Sequence, residues 1–375
     1  MNSCHPTYTM DQASSKSEIR IQDRRKKAQR ARKQRQKGAR SALLALLGGH
    51  PQASQMSAQI RTPKLFPTHE FRTLLLRISD FLRISVLGFR ISALGLLLST
   101  STCVLSAAEP IPDACKTGGF AIGCIAYTFD HFTMFEAIEK TAQAGGKVIE
   151  LSAKTSLSKE EPNVRFDYRA SPETLRKVKD KLAQCHLTAV AYAVIPFPSG
   201  EDEARKLFEF AKTMGLRAII TESPEALDLM EKLVKEYDIC IALHDHPRRP
   251  NDASYRMWDP NYILSLVKDR DPRIGACADT GHWVRSNLKP AECLRILKGR
   301  VISSHLKDLN RMGLGAHDVP FGTGVSDIPA ILDELKTQGF QGHLSIEYEY
   351  NWDNSLPEVA QCIGFVRGYG AAKGW

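Results

Sequence analysis

The stretch "RIGACADTGHWVRSNLKPAECLRILKGRVISSHLKDL" (273–309) decides how the rest of the chain is read. Two β-rich runs, 273–282 and 300–309, each carry ionisable residues near their C-terminal ends: Asp279 and His282 on the first, His305, Lys307 and Asp308 on the second. Between them "KPAECLRILKG" (289–299) has helical spacing, a proline at its first turn and a glycine at its end. Strand, helix and strand in so short a span predict a βαβ unit with parallel strands.

The rhythm extends in both directions. Further β-rich runs are "FAIGCIAYTF" (120–129), "KVIELSA" (147–153), "TAVAYAVIPF" (188–197), "LRAIITE" (216–222), "ICIALHDH" (239–246) and "GHLSIEYEY" (342–350). Helical segments separate them; Ser171-Pro172 and Ser223-Pro224 are expected N-caps, and Gly145 and Gly215 expected C-caps. Eight strand–helix units in about 260 residues predict an α/β fold, a single-domain (β/α)8 TIM barrel over 109–375. A doubly wound open sheet is the competing arrangement.

A barrel of this kind puts its chemistry at the C-terminal ends of the strands. Glu150 ends the second run, His244 and His246 the fifth, Asp279 and His282 the sixth, His305 and Lys307 the seventh, Glu347 and Glu349 the eighth. Taken singly, each has an ordinary explanation as a paired carboxylate, a helix cap or a core histidine. Taken together at one mouth, carboxylate oxygens and imidazole nitrogens suit a divalent metal: Mn, Mg, Co or Zn.

In "VIELS", "CADTGHW", "SSHLKDL", "VPFGTGVSDIPAIL" and "LSIEYEY" the chain resembles the xylose isomerase-like TIM barrels, which include sugar phosphate isomerases/epimerases, and the resemblance covers roughly 118–370. It implies a metal held by His244, Asp279, His305 and Glu347. The chain departs from the pattern at the first of these, where the family carries glutamate, so that either His244 ligates in its place or the metal shifts toward His246. Ala316 and Asp318 stand where the family's DNA-repair endonucleases carry an Asp-x-His, which argues against a nucleic-acid partner.

The implied activity is a metal-dependent sugar or keto-sugar isomerase/epimerase acting through an enediolate on a small-molecule sugar. A lyase, hydratase or hydrolase on the same scaffold, or a non-catalytic carbohydrate-binding barrel, are the alternatives. Glu347 is expected as ligand and base, with Glu150 or His246 as its partner. Lys307 is expected to polarise an oxygen or pair with Asp308. His282 is the candidate for a substrate hydroxyl, and Trp283, Tyr255 and Trp258 for stacking against a sugar face. Homo-oligomer formation is left open.

The N-terminal part reads differently. Residues 1–108 carry 18 Lys/Arg against 5 Asp/Glu, so the total of +9 comes from this leader and the rest is mildly acidic. Residues 1–75 include the basic low-complexity run 16–40, expected to be disordered and either mis-started or an extended leader. In 76–108, Arg83 and Arg90 precede an apolar stretch with Ser106 and Ala108 placed as in a signal peptidase site. This predicts a secreted or periplasmic protein without a stable membrane anchor after cleavage. Seven cysteines follow the leader without a Cys-x-x-Cys pair, and no disulfide framework can be read from them.

Overall fold

The structure is a computed structural model that describes residues 110–375. The basic leader and the signal-like segment, with the export expectation attached to them, lie outside the described residues. Strands β1 (Ala121–Ile125), β2 (Val148–Leu151), β3 (Thr188–Ile195), β4 (Ala218–Thr221), β5 (Cys240–His244), β6 (Ile274–Asp279), β7 (Val301–Leu306) and β8 (His343–Ile346) follow one another in space as in sequence. Each pairs in parallel with the next, and β8 pairs with β1 from Ala121↔His343 to Cys124↔Ile346. The sheet is closed, which rules out the open doubly wound alternative.

The eight expected helices are present: α1 (Met134–Gln143), α2 (Pro172–Gln184), α3 (Glu201–Met214), α4 (Leu227–Tyr237), α5 (Pro260–Val267), α7 (Pro290–Ile296), α8 (Ile328–Thr337) and α9 (Leu356–Lys373). A short extra helix, α6 (Thr280–Arg285), starts where the sequence read a continuing strand. The cause is Asp279, whose Oδ1 accepts the backbone N–H of His282 at 2.8 Å and caps the turn. Ser171 caps α2 as expected, but Ser223 caps nothing: its hydroxyl accepts the Phe197 N–H, and α4 begins four residues later.

Strand alternation sorts the side chains into two layers. Ile219 of β4 joins the main core between barrel and helices, whereas Ala218 and Ile220 turn inward to meet Ile125, Ala191, Ala242 and Cys277. The inward layer is small and partly polar, with Glu150, Ser303, His305, His343 and Ser345 all fully buried. The seven cysteines are free thiols, so apolar burial rather than cross-linking holds the fold among the described residues.

One turn shapes the mouth. Asp308 accepts the backbone N–H groups of Gly322, Gly324 and Ser326 at 2.9, 3.0 and 3.0 Å. A Cβ at Gly324 would lie 2.3 Å from the Asp308 carboxylate, so only glycine lets the loop close on it. Asp308 therefore organises the loop after β7 and is not the partner of Lys307.

Candidate metal centre and active site

Tautomers at the mouth can be assigned from outer hydrogen-bond partners. His244, the last residue of β5, places Nδ1 3.1 Å from Glu222 Oε1 at the end of β4. His305 of β7 places Nε2 2.8 Å from Glu150 Oε2. Each carboxylate takes one ring N–H, which turns His244 Nε2 and His305 Nδ1 toward the cluster as the atoms a metal ion would bind in place of a proton. Those two nitrogens face one another at 3.1 Å, and His305 Nδ1 is also 3.1 Å from Glu347 Oε2.

Asp279 Oδ2 enters the same space, 3.6 Å from His244 Nε2, 3.5 Å from His282 Nε2 and 4.0 Å from His305 Nδ1. That oxygen is fully buried and makes no hydrogen bond of acceptable geometry. Its nearest cation is Lys307 Nζ at 3.1 Å, which also contacts Glu347 at 2.8 Å and Glu349 at 2.6 Å. Buried acceptors concentrated in this way are costly unless a cation meets them.

His244, Asp279, His282 and Glu347 each offer a ligand atom, and the four atoms lie within 4.8 Å of one another, all buried. These residues fit a metal ion. The structure thus brings together all four expected ligands and adds His282, which the sequence reading had given to the substrate. Asp279 is suited to the role because Oδ1 is spent on the α6 cap while Oδ2 stays free to coordinate.

Charges at the site follow from burial against neighbours. Burial opposes charge on His244, but Asp279 and Glu222 outweigh it and hold the imidazole pKa well above its usual value. The same negative surplus favours a bound cation. Burial together with Lys307 and His244 pushes His282 well below the imidazole range, so it is neutral. Burial opposes ionisation of Glu347, yet Lys307 and His305 keep it ionised.

A cavity of about 370 Å³ opens over this cluster, lined by Glu222, His244, His246, His282, Glu347 and Glu349 among others. His246 is an accessible candidate for proton transfer: Nδ1 is buried without a partner, and burial and His244 lower its pKa. Lys307 does not line the cavity and is wholly buried, so it acts through the carboxylates it neutralises.

Four of the expected site residues stand elsewhere. Glu150 is not at the mouth: one residue short of the end of β2, it lies inside the barrel with Oε2 on His305 and Oε1 2.6 Å from His343 Nε2. Burial opposes its ionisation, but the two histidines hold its pKa down to about 2. It positions His305 rather than meeting a substrate. Trp283 has no face to offer a sugar, because the turn of α6 sends His282 to the cavity and Trp283 into the main core at 0% exposure. Tyr255 lies outside the cavity wall with Arg249 stacked 3.7 Å above its ring, and Trp258 likewise carries Arg248 at 5.0 Å.

The tyrosine that does line the cavity is Tyr127, just after β1, with the Trp352 ring edge-on at 5.6 Å. Sequence reasoning missed it and Glu222, although both stand at the C-terminal end of a predicted strand. It also missed Arg285, which ties Glu349 at 2.9 Å to Asp318 at 3.3 Å beside the cluster. Burial raises the Asp318 carboxyl to about 7.

A closed (β/α)8 barrel with an imidazole and carboxylate cluster at its C-terminal mouth defines the class of this protein. The model of the xylose isomerase-like TIM barrels matches residues 138–367, and the chain belongs to that family. Among solved structures, an uncharacterised protein from Parabacteroides distasonis is 29% identical with a TM-score of 0.54, over 66% of this chain and 98% of that one. A D-tagatose 3-epimerase-like protein is 17% identical with a TM-score of 0.53, over 67% and 97%. D-allulose 3-epimerase from Methylomonas sp., in complex with D-allulose, is 16% identical with a TM-score of 0.51, over 66% and 96%. At such identities the last two share the fold with this chain. No curated protein matches the sequence. Among the described residues no helix is long and apolar enough to cross a membrane.

Proposed function

We propose that this chain is a metal-dependent isomerase or epimerase of a sugar or keto-sugar. The observation that carries the reading is the set of inward-facing acceptors, His244 Nε2, His305 Nδ1, Asp279 Oδ2 and Glu347 Oε2, gathered beneath one cavity. His282 joins them through Nε2. The nitrogen-rich donor set favours Mn, Co or Zn over Mg, which prefers oxygen ligands. A divalent ion bound there supplies positive charge where an enediolate develops.

The chain's own residues do the rest. Glu347, kept ionised by Lys307, lines the cavity and removes the proton from the carbon next to the carbonyl. His246, which lines the same cavity, returns a proton from its imidazolium form, the minor form that its lowered pKa leaves, and regains one from solvent as Glu347 releases the proton it took. Return to the opposite face of that carbon epimerises it; return to its neighbour interconverts aldose and ketose. Lys307 and Arg285 hold Glu349 against the site and limit its negative charge. Export, read from the apolar segment before residue 109, favours an unphosphorylated substrate.

The test is proton exchange. Protein loaded with Mn²⁺ and incubated with ketoses and 3-keto-sugars in deuterated water should place deuterium on one carbon of one of them. Protein that binds Mn²⁺ yet exchanges no proton of any such sugar contradicts the enediolate reading.

A further inference from the structure

We infer that the substrate has two sugar rings, the reacting one over the metal cluster and the second in a separate cleft beside it. This rests on the sugar chemistry proposed above and names the substrate class that fits the mouth.

A second cavity of about 500 Å³ adjoins the first, and Ala153 lines both. Its walls come from the connection after β2, which carries Arg165 to Arg169, from the turn after β3, and from Glu203 in α3. Those segments follow the C-terminal ends of their strands, so the two cavities open on the same end of the barrel. Each lies in the size range of small-molecule sites.

The charges of this cleft are already matched. Arg165 Nε pairs with Asp167 at 2.8 Å, and Arg169 Nε pairs with Glu203 at 2.5 Å. Glu203 also takes Lys206 at 2.9 Å and the Tyr168 hydroxyl at 3.1 Å. Lys206 stands outside the lining, where two arginines meet two carboxylates, so a phosphate in the cleft would find no surplus positive charge on its walls. Sugar hydroxyls, each both donor and acceptor, can bridge such ion pairs without displacing them. Tyr192, Pro196, Phe197 and Pro198 supply the apolar wall that the C–H face of a pyranose needs. Matched charge with an apolar side describes an uncharged sugar ring better than a phosphosugar tail.

The test compares ketose disaccharides with their monosaccharide. Titration calorimetry on the Mn²⁺-loaded full chain measures D-fructose, lactulose, turanose and fructose 6-phosphate. At least one disaccharide should bind ten-fold or more tightly than D-fructose, and fructose 6-phosphate should show no such gain. Ser199→Trp, at an exposed position on the cleft rim, should bring the ratio of disaccharide to monosaccharide affinity to about one, and Arg169→Ala should lower it several-fold. Equal binding of fructose and both disaccharides by the wild type, or a ratio untouched by Ser199→Trp, overturns the two-ring inference and leaves the sugar reading standing. A wild type that binds none of the four overturns both.

Discussion

Replacing Glu150 by glutamine separates the metal centre from the fold that carries it. The carboxylate is fully buried and holds His305 Nε2 at 2.8 Å and His343 Nε2 at 2.6 Å. Glutamine keeps the volume, but its amide can accept from one imidazole only and has no charge to stabilise the other N–H. His305 then loses the partner that fixes its tautomer and turns Nδ1 toward the cluster. Loss of such a supporting hydrogen bond costs metal affinity about 10- to 100-fold, or roughly 1.4 to 2.7 kcal/mol. Calorimetric titration with Mn²⁺ reads the effect, and circular dichroism verifies that the barrel is intact. Glu150→Gln with wild-type secondary structure and an Mn²⁺ affinity within two-fold of wild type would refute the reasoning, because His305 would then need no positioning.

The remaining predictions test separate parts of the molecule. His246→Asn should lower the rate of proton exchange at least 100-fold while Mn²⁺ content, read by elemental analysis, stays at the wild-type value. Trp283→Ala should cost about 3–5 kcal/mol in urea unfolding, since it empties a core position; a sugar-stacking role would instead appear as weakened binding at full stability. Asp271, a side chain 5% exposed and paired with Arg273 at 2.9 Å, has a carboxyl held down to about 2 by that arginine. A depressed carboxylate stabilises the fold above its unfolded pKa and loses that contribution as pH falls toward the folded one. Asp271→Asn should therefore flatten the wild-type loss of stability between about pH 4 and pH 2, by roughly 1–2 kcal/mol in acid unfolding curves.

Much of this was legible in the chain itself, for identifiable reasons. A strand buried on both faces reads as a mostly apolar run, so the strands stood out even where Ser303, Ser304, His305, His343 and Ser345 interrupt β7 and β8. Polar residues at their ends marked the mouth, and His244, Asp279, His305 and Glu347 do converge there. Depth was not legible. Glu150 and Glu347 look alike in sequence, but one lies inside β2 and the other just past β8, so one is a buried brace and the other lines the cavity. The cap made by Asp279 was also hidden, and with it the helix that turns His282 inward and Trp283 outward. His343 braces Glu150 across 193 positions of chain, a contact that only barrel closure creates. Glu222 was overlooked because it is the one ionisable residue at the end of β4, between Thr221 and Ser223, with no motif around it.

Anomalous diffraction at the manganese edge, from crystals of the protein grown with Mn²⁺, tests the central claim most directly. The account predicts a single strong peak within bonding distance of His244, Asp279 and Glu347, with imidazole nitrogen from His282 or His305 completing the set. No peak at the mouth of the barrel, or a peak there that touches none of those side chains, would contradict it.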